Sequence, residues 1–240
     1  MRFAVFSDIH ANLEALDAVL ADARANDCTR YVCLGDVVGY NANPVECLNI
    51  VRELGCPTVK GNHDEQAALT GSCLEFNEWA EQAIIWTRRQ LDERDREWLR
   101  NLPLRQQVND FTIVHATLDS PAAWNYVFTT EEASASFRHQ PTSICFFGHT
   151  HVPGVFTSNE GVKQDRPDTI HANPGKKYFV NPGSVGQPRD GDWRAAYCIF
   201  NSDENIIEQR RVPYDLVSAQ KKIIAAGLPR LLADRLQFGR

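Results

Sequence analysis

Short apolar runs, each ending on a small or polar residue, recur along this chain. Arg2–Phe6 reads as a strand covered on both faces, because such strands show continuous rather than alternating apolarity. Tyr31–Leu34 and Pro57–Lys60 repeat the pattern. Between the three runs lie two helical periodicities. The first takes Asn12 as its N-cap, carries an apolar stripe at Leu13, Leu16, Val19 and Leu20, and runs to about Asn26. The second opens on Asn43-Pro44, an N-cap followed by the residue suited to the first helical position, and Gly55 stops it after Leu54. Strand, helix, strand, helix, strand predicts parallel pairing through right-handed crossovers.

Residues 65–102 have a helical pattern whose apolar face is Trp79, Ala83, Ile84, Trp86, Leu91, Trp98 and Leu99. This segment reads as packing, and Pro103 ends it. The pattern then turns to β. Leu104–Val108 and Phe111–Val114 flank a tight turn at Asn109-Asp110, and a short helix begins near Thr130. Ser143–Phe147 is a strand; Val152–Thr157 and Tyr178–Val180 are two more, separated by a polar loop at 158–176. A Gly/Pro-rich loop spans 181–189. Ala195–Phe200 and Ile206–Arg211 form a last hairpin, and Tyr214–Ala226 is an amphipathic helix that Gly227 closes before a short helical tail in the 214–240 segment. No linker composition interrupts the chain, so a single domain over residues 1–240 is expected.

Composition narrows the function. A net charge of −6 leaves no basic stripe for coating nucleic acid. No apolar run approaches the roughly 18–20 residues of a membrane span. The seven cysteines are scattered, at positions 28, 33, 47, 56, 73, 145 and 198, with no C-x-x-C pair. Cysteines inside apolar runs behave as small hydrophobes, and with a strand at the very start of the sequence this suits a cytoplasmic protein.

The chemistry-bearing residues sit where the strands end. Asp8 and His10 follow the first, Asp36 the second, Asn62 and His63 the third, His115 the hairpin strand, and His149 and His151 the strand ending in Phe147-Gly148. Five of the seven histidines are in this set, more than scatter would place there. Spacing of i, i+2 in extended chain turns both side chains to one side. Gly148 gives the backbone room for a tight turn. Carboxylate, imidazole and amide oxygen together suit manganese, iron or zinc better than magnesium or calcium, and the donors outnumber the needs of one ion.

Asp8-x-His10, Gly35-Asp36, Gly61-Asn62-His63-Asp64, His115 and Gly148-His149-Thr150-His151 together resemble, in order and position, the five motifs of the calcineurin-like metallophosphoesterases. Gly35-Asp36-Val37-Val38-Gly39-Tyr40 and the loop Asn181 to Arg189 resemble a prokaryotic, small phosphodiesterase-like branch. The resemblance implies an α/β fold, a four-layer α/β/β/α sandwich of two mixed sheets flanked by helices. It implies two divalent ions, manganese first, with iron, zinc or nickel as alternatives. Asp8, His10, Asp36 and His151 would hold one ion; Asp36, Asn62, His115 and His149 would hold the other. His63 would face the leaving group, and Asp64 is expected to orient the His63 ring. The implied activity is hydrolysis of a small-molecule phosphodiester or phosphomonoester, a nucleotide among the candidates, by attack of a hydroxide bridging the ions.

Departures from the family exclude some members. Protein phosphatases carry Gly-Asp-x-Val-Asp-Arg-Gly, whereas this chain has Gly35-Asp36-Val37-Val38-Gly39-Tyr40-Asn41, and Lys60 stands where they have arginine before Gly61. That argues against a protein phosphatase and against the similar symmetrical diadenosine tetraphosphate hydrolases. Asn41, where the branch often has glycine, is expected to tolerate left-handed backbone. By position, Tyr40, Trp124, Tyr126 and Arg189 are substrate-pocket candidates: the aromatics for stacking, Arg189 for a second phosphate. Loop packing is the plainer alternative for the aromatics. His139 and His171 fall outside the motifs and read as surface residues. The rival function is a non-catalytic interaction scaffold of the same fold, whose members typically lack a site residue that this chain retains. A nuclease would need a basic surface that this chain lacks.

Overall fold

The computed structural model of the chain describes residues 1–71 and 76–240. Two mixed sheets form its centre. In the first, β1 (Arg2–Phe6) pairs in parallel with β2 (Arg30–Cys33) and antiparallel with β10 (Ala195–Asn201), which continues to β11 (Ile206–Val212) and β8 (Thr169–His171). In the second, the order is β3 (Arg105–Val108), β4 (Phe111–Val114), β5 (Ile144–Phe146), β9 (Lys177–Asn181), β6 (Gly154–Ser158), β7 (Val162–Asp165), with β4, β5 and β9 parallel.

Alternation of side chains along each strand divides three layers of core. Phe3 and Val5 of β1, Cys198 and Phe200 of β10, Phe111 and Ile113 of β4, and Ile144 and Phe146 of β5 meet between the sheets. The Phe111 ring meets Phe3, Phe146 and Phe200 edge-on at 5.3, 5.6 and 5.4 Å. Each such buried ring contributes roughly 1.5–3 kcal/mol. The intervening residues turn outward. Ala4, Phe6, Tyr197 and Ile199 pack under α1 (Leu13–Ala25), α2 (Pro44–Leu54) and α7 (Leu216–Ala225). Val114, Cys145, Phe147 and Phe179 pack under α6 (Thr130–His139). Helices therefore cover both outer faces.

Several expectations change. Pro57–Lys60 is not a strand; it makes one bridge, Cys33 to Thr58. Its ladder stops because the Lys60 N–H donates to Pro103 O and Gly61 turns the chain away. The loop 158–176 contains β7 and β8, whose residues are mostly exposed and so carry no apolar signal. The helical segment is three helices, α3 (Asn62–Ala68), α4 (Glu78–Gln90) and α5 (Glu93–Asn101); the part of that expectation at 72–75, including position 73, lies outside the described residues. Ala80, Ala83, Ile84 and Thr87 form the buried stripe of α4, and Trp79, off that stripe, is 45% exposed. After α7, α8 (Arg230–Asp234) completes the tail. His139 and His171 are exposed. Six cysteines are described, all free thiols. No described helix is long and apolar enough to cross a membrane.

Candidate active site

The loops that leave β1, β2, β4 and β5 meet at one edge of the two sheets. Their backbone is unusual there. Among the described residues eleven non-glycine residues have positive φ, and eight of them border this site: Asp8, His10, Ala11, Asp36, Tyr40, Trp124, His149 and His151. Each such residue costs on the order of 1 kcal/mol, less for Asp and His, and persists only where its surroundings hold it. Asn41 is not among them. The left-handed residue is Tyr40, and Asn41 instead donates its side-chain amide to His10 O at 2.7 Å.

The surroundings that hold these loops are backbone groups of their neighbours. Asp8 N–H donates to Gly35 O, His10 N–H to Asp36 O, and Gly148 N–H to His115 O, at 2.8–3.0 Å. From the Gly/Pro-rich loop, Val185 and Gly186 donate to Ser7 O and Asp8 O, both at 2.9 Å. Two glycines permit the approach. A Cβ on Gly61 would lie 2.0 Å from Asp36 Oδ1, and one on Gly148 would lie 1.9 Å from Ser7 Oγ.

Each histidine of the cluster spends one ring nitrogen on a carbonyl. His10 Nδ1–H donates to Val38 O at 3.2 Å, His115 Nδ1–H to Leu34 O at 2.7 Å, and His151 Nδ1–H to Gln187 O at 2.6 Å. His149 does the reverse and donates Nε2–H to Trp124 O at 2.8 Å. A carbonyl only accepts, so in each neutral ring the other nitrogen is left with a lone pair. Those lone pairs converge. His10 Nε2 and His151 Nε2 are 3.0 Å apart. Two bare nitrogens repel at that distance, but two donors held about 2.1 Å from one cation at right angles are about 3 Å apart.

The carboxylates are arranged in the same way. Asp36 Oδ1 accepts His63 N–H at 2.8 Å, and its Oδ2 lies 3.3 Å from His115 Nε2 and 3.6 Å from His10 Nε2. Asp8 Oδ2 accepts His149 N–H at 3.1 Å, and its Oδ1 lies 3.2 Å from His151 Nε2. Two groups could therefore hold an ion: Asp8, His10, Asp36 and His151, and Asp36, His115 and His149, with Asp36 common to both. Asn62 opens α3, and its buried Oδ1 has no hydrogen-bond partner among the described residues. Asp8 Oδ1 and His115 Nε2 are buried and unpaired as well. Such atoms are costly without a partner, so this donor set fits divalent cations.

Electrostatics agree. Burial resists charge on His115, but Asp36 and Asp8 outweigh it and lift the imidazole to about 9. Burial opposes ionisation of Asp36 too, and His115 and His63 beside it keep the carboxyl well below the usual range. Two carboxylates at most 1% exposed draw positive charge toward themselves. A metal ion would replace the His115 proton.

The remaining candidates also reach the site. His63 is wedged between the rings of Tyr40, 4.4 Å away, and Phe76, 4.6 Å away, and burial lowers it to about 4. Asp64 does not orient it. Both Asp64 oxygens are taken by backbone: Oδ2 accepts from Asp36 at 2.8 Å and Gly61 at 3.1 Å, Oδ1 from Val37 at 2.9 Å and Val38 at 3.3 Å. Its role is to fix the Asp36 loop. Burial and the nearby Asp36 raise its carboxyl to about 7. Tyr40 is buried against His10 and lies under the Arg189 guanidinium, 5.8 Å from the ring centre. Tyr126 stacks on His149 at 4.2 Å. Lys60 turns away and donates to Arg100 O. Two residues that sequence reasoning missed, Gln66 and Phe76, line the cavity above Asn62, His63 and His149. They lie in a segment whose pattern signals only helix packing.

A calcineurin-like phosphoesterase superfamily domain matches residues 1–205. The chain belongs to that superfamily. A metallophosphoesterase from Sphaerobacter thermophilus is 40% identical, with 100% of this chain and 99% of that one covered and a TM-score of 0.89. An uncharacterised protein of Methanocaldococcus jannaschii is 41% identical over 99% of this chain and 98% of its own length. A hypothetical protein from Pyrococcus horikoshii, 19% identical, shares the fold at a TM-score of 0.82, covering 100% of this chain and 98% of that one. Two mixed sheets flanked by helices are thus the metallophosphoesterase fold.

Proposed function

We propose that this phosphoesterase is a dinuclear enzyme that hydrolyses a small-molecule phosphodiester or phosphomonoester. The observation that carries the reading is the convergence of four imidazole lone pairs, each set by a backbone carbonyl, on two buried carboxylates. Asp8, His10, Asp36 and His151 hold one ion; Asp36, Asn62, His115 and His149 hold the other. Manganese is the first choice, and iron, zinc and nickel suit the same donors. Divalent ions held there would supply an acidified water and offset negative charge on the phosphoryl oxygens.

The chain's own residues do the rest. The carbonyls of Leu34, Val38, Trp124 and Gln187 keep the imidazoles in the ligating tautomer. His63 lines the cavity beside Asn62, where the leaving oxygen would emerge. Its ring is neutral near pH 7, so it serves as a hydrogen-bond donor to the developing alkoxide. Arg189, across the Tyr40 ring, stands ready for an anionic group of the substrate.

The test is hydrolysis of p-nitrophenyl phosphate and bis-p-nitrophenyl phosphate by stripped protein, with Mn²⁺, Zn²⁺, Mg²⁺ or no metal. Metal-dependent turnover is expected, and preference for one ester decides between diester and monoester. No turnover in protein shown to hold two ions would favour the scaffold.

A further inference from the structure

Above the candidate centre lies a cavity of about 170 Å³ whose floor includes Asn62, His63 and His149. Its walls come from residues that lie outside the five motifs. Gln66 of α3, Phe76 just before α4 and Ala80 of α4 form one side, and Ala123 and Trp124 of the loop after β4 form the other. Pockets that enclose a whole small ligand usually exceed about 300 Å³. This one takes part of a substrate, the part attached on the His63 side.

We propose that this slot receives a nucleobase, so that the substrate of the phosphoesterase reaction proposed above is a nucleoside phosphate ester. Three features carry this. First, the described residues that line the cavity include no carboxylate, lysine or arginine. The one guanidinium named above, Arg189, lies beyond Tyr40. Second, two aromatic rings, Trp124 and Phe76, line the cavity and are held in place. The Trp124 indole N–H is held by Glu65 Oε2 at 3.1 Å, and Phe76 packs on His63. Tyr126, also on the lining, stacks on His149 at 4.2 Å and on Phe128 at 5.5 Å. Ala80 and Ala123, with small side chains, line the same cavity. Third, beside the histidines and tyrosines, amide side chains line the cavity. The side chain of Gln66 makes no hydrogen bond among the described residues, and Asn77 uses only its Oδ1, on Ala80 N–H. An amide presents a donor and an acceptor side by side, which matches the edge of a base.

The Gln66 wall is anchored. Arg88 of α4 donates twice to Gln66 O, at 2.8 and 3.0 Å, so α3 and α4 carry the slot as a unit.

The test is calorimetric titration of the full-length protein loaded with Mn²⁺, using AMP, GMP, CMP and UMP against ribose 5-phosphate. At least one base-bearing ligand should bind tenfold or more tightly than ribose 5-phosphate, the order of gain that one stacked base brings. Gln66→Ala and Phe76→Ala should each cut that ratio about fivefold or more. A ratio near one for all four nucleotides overturns the inference, as does a ratio that survives both substitutions. Gln66 is half-buried on a helix, so Gln66→Ala decides even if Phe76→Ala fails to fold. Binding is read without turnover: absent hydrolysis of the nitrophenyl esters would count against the proposed activity and leave this ratio to judge the slot.

Discussion

The floor and the wall of the site are built in different ways. In the floor, His10, Asp36, His115 and His151 are at most 2% exposed, and each is tied to a backbone carbonyl or amide of a neighbouring loop. The wall is looser in kind. Gln66, Phe76 and Asn77 are partly exposed and depend on helix packing and on the grip of Arg88. A group that must face an ion within a few tenths of an ångström needs the first kind of support. A surface that selects a substrate needs only shape and a few hydrogen bonds, so it can vary without disturbing the ions. The difference teaches that the residues grouped around the candidate ion sites and those lining the cavity are held by different means, even where α3 supplies both.

The largest expected effect breaks the floor. Asp36 belongs to both candidate ion groups, so Asp36→Asn should lose bound metal, counted by plasma mass spectrometry. Turnover should fall by more than the roughly 100-fold that losing a supporting partner costs. Retention of both ions would show that Asp36 is not shared. His63→Ala should lower the rate by about 10²–10³-fold, the cost of one lost donor to developing charge, while metal content stays at the wild-type level. Loss of metal in that variant would place His63 among the ligands.

Asp64 tests how the floor is supported. Asp64→Asn turns one acceptor into a donor that faces backbone N–H groups, and should cost about 1–3 kcal/mol of stability in urea. A drop in kcat at unchanged stability and metal affinity would restore the idea that Asp64 supports the His63 ring.

The floor was largely legible in the sequence and the wall was not. Asp8-x-His10 and His149-x-His151 stand out because i, i+2 polar pairs after apolar runs are costly unless they have work to do. Most strands were legible because continuous apolar runs mark strands covered on both faces, whereas the layered pair of sheets came from the family resemblance. What escaped was set by backbone rather than side chains. Nothing in residues 57–60 reveals that Lys60 N–H bonds to Pro103, and β7 and β8 pair through main chain while most of their side chains face solvent. The carbonyls that fix the imidazole tautomers belong to Leu34, Val38, Trp124 and Gln187, whose side chains give no hint of that task. Asp64 was misjudged for the same reason, since its partners are all amides. Gln66 and Phe76 resemble any residues of a packed helix pair until the fold sets them over Asn62.

The smallest effect comes from a part of the chain that belongs to neither floor nor wall, and so sharpens the comparison as a control. On the outer face of the first sheet Asp22 of α1 accepts from Arg210 of β11, at 3.0 and 3.2 Å, and from the Tyr197 hydroxyl of β10 at 2.6 Å. Burial opposes its ionisation, but these partners prevail and hold the carboxyl below its ordinary value. A depressed carboxylate contributes stability that is fully present above its unfolded value, about 3.9. That contribution is lost as pH falls through the lower folded value. Asp22→Asn should therefore cost about 1 kcal/mol at pH 7, as a partly exposed pair does, and the gap from wild type should narrow toward pH 3. Urea unfolding of metal-stripped protein at both pH values measures it without a contribution from bound ions. Metal content and turnover at pH 7 should match wild type. If they fall together with stability, the loop network is coupled to the outer helices, and the separation of floor from surroundings does not hold.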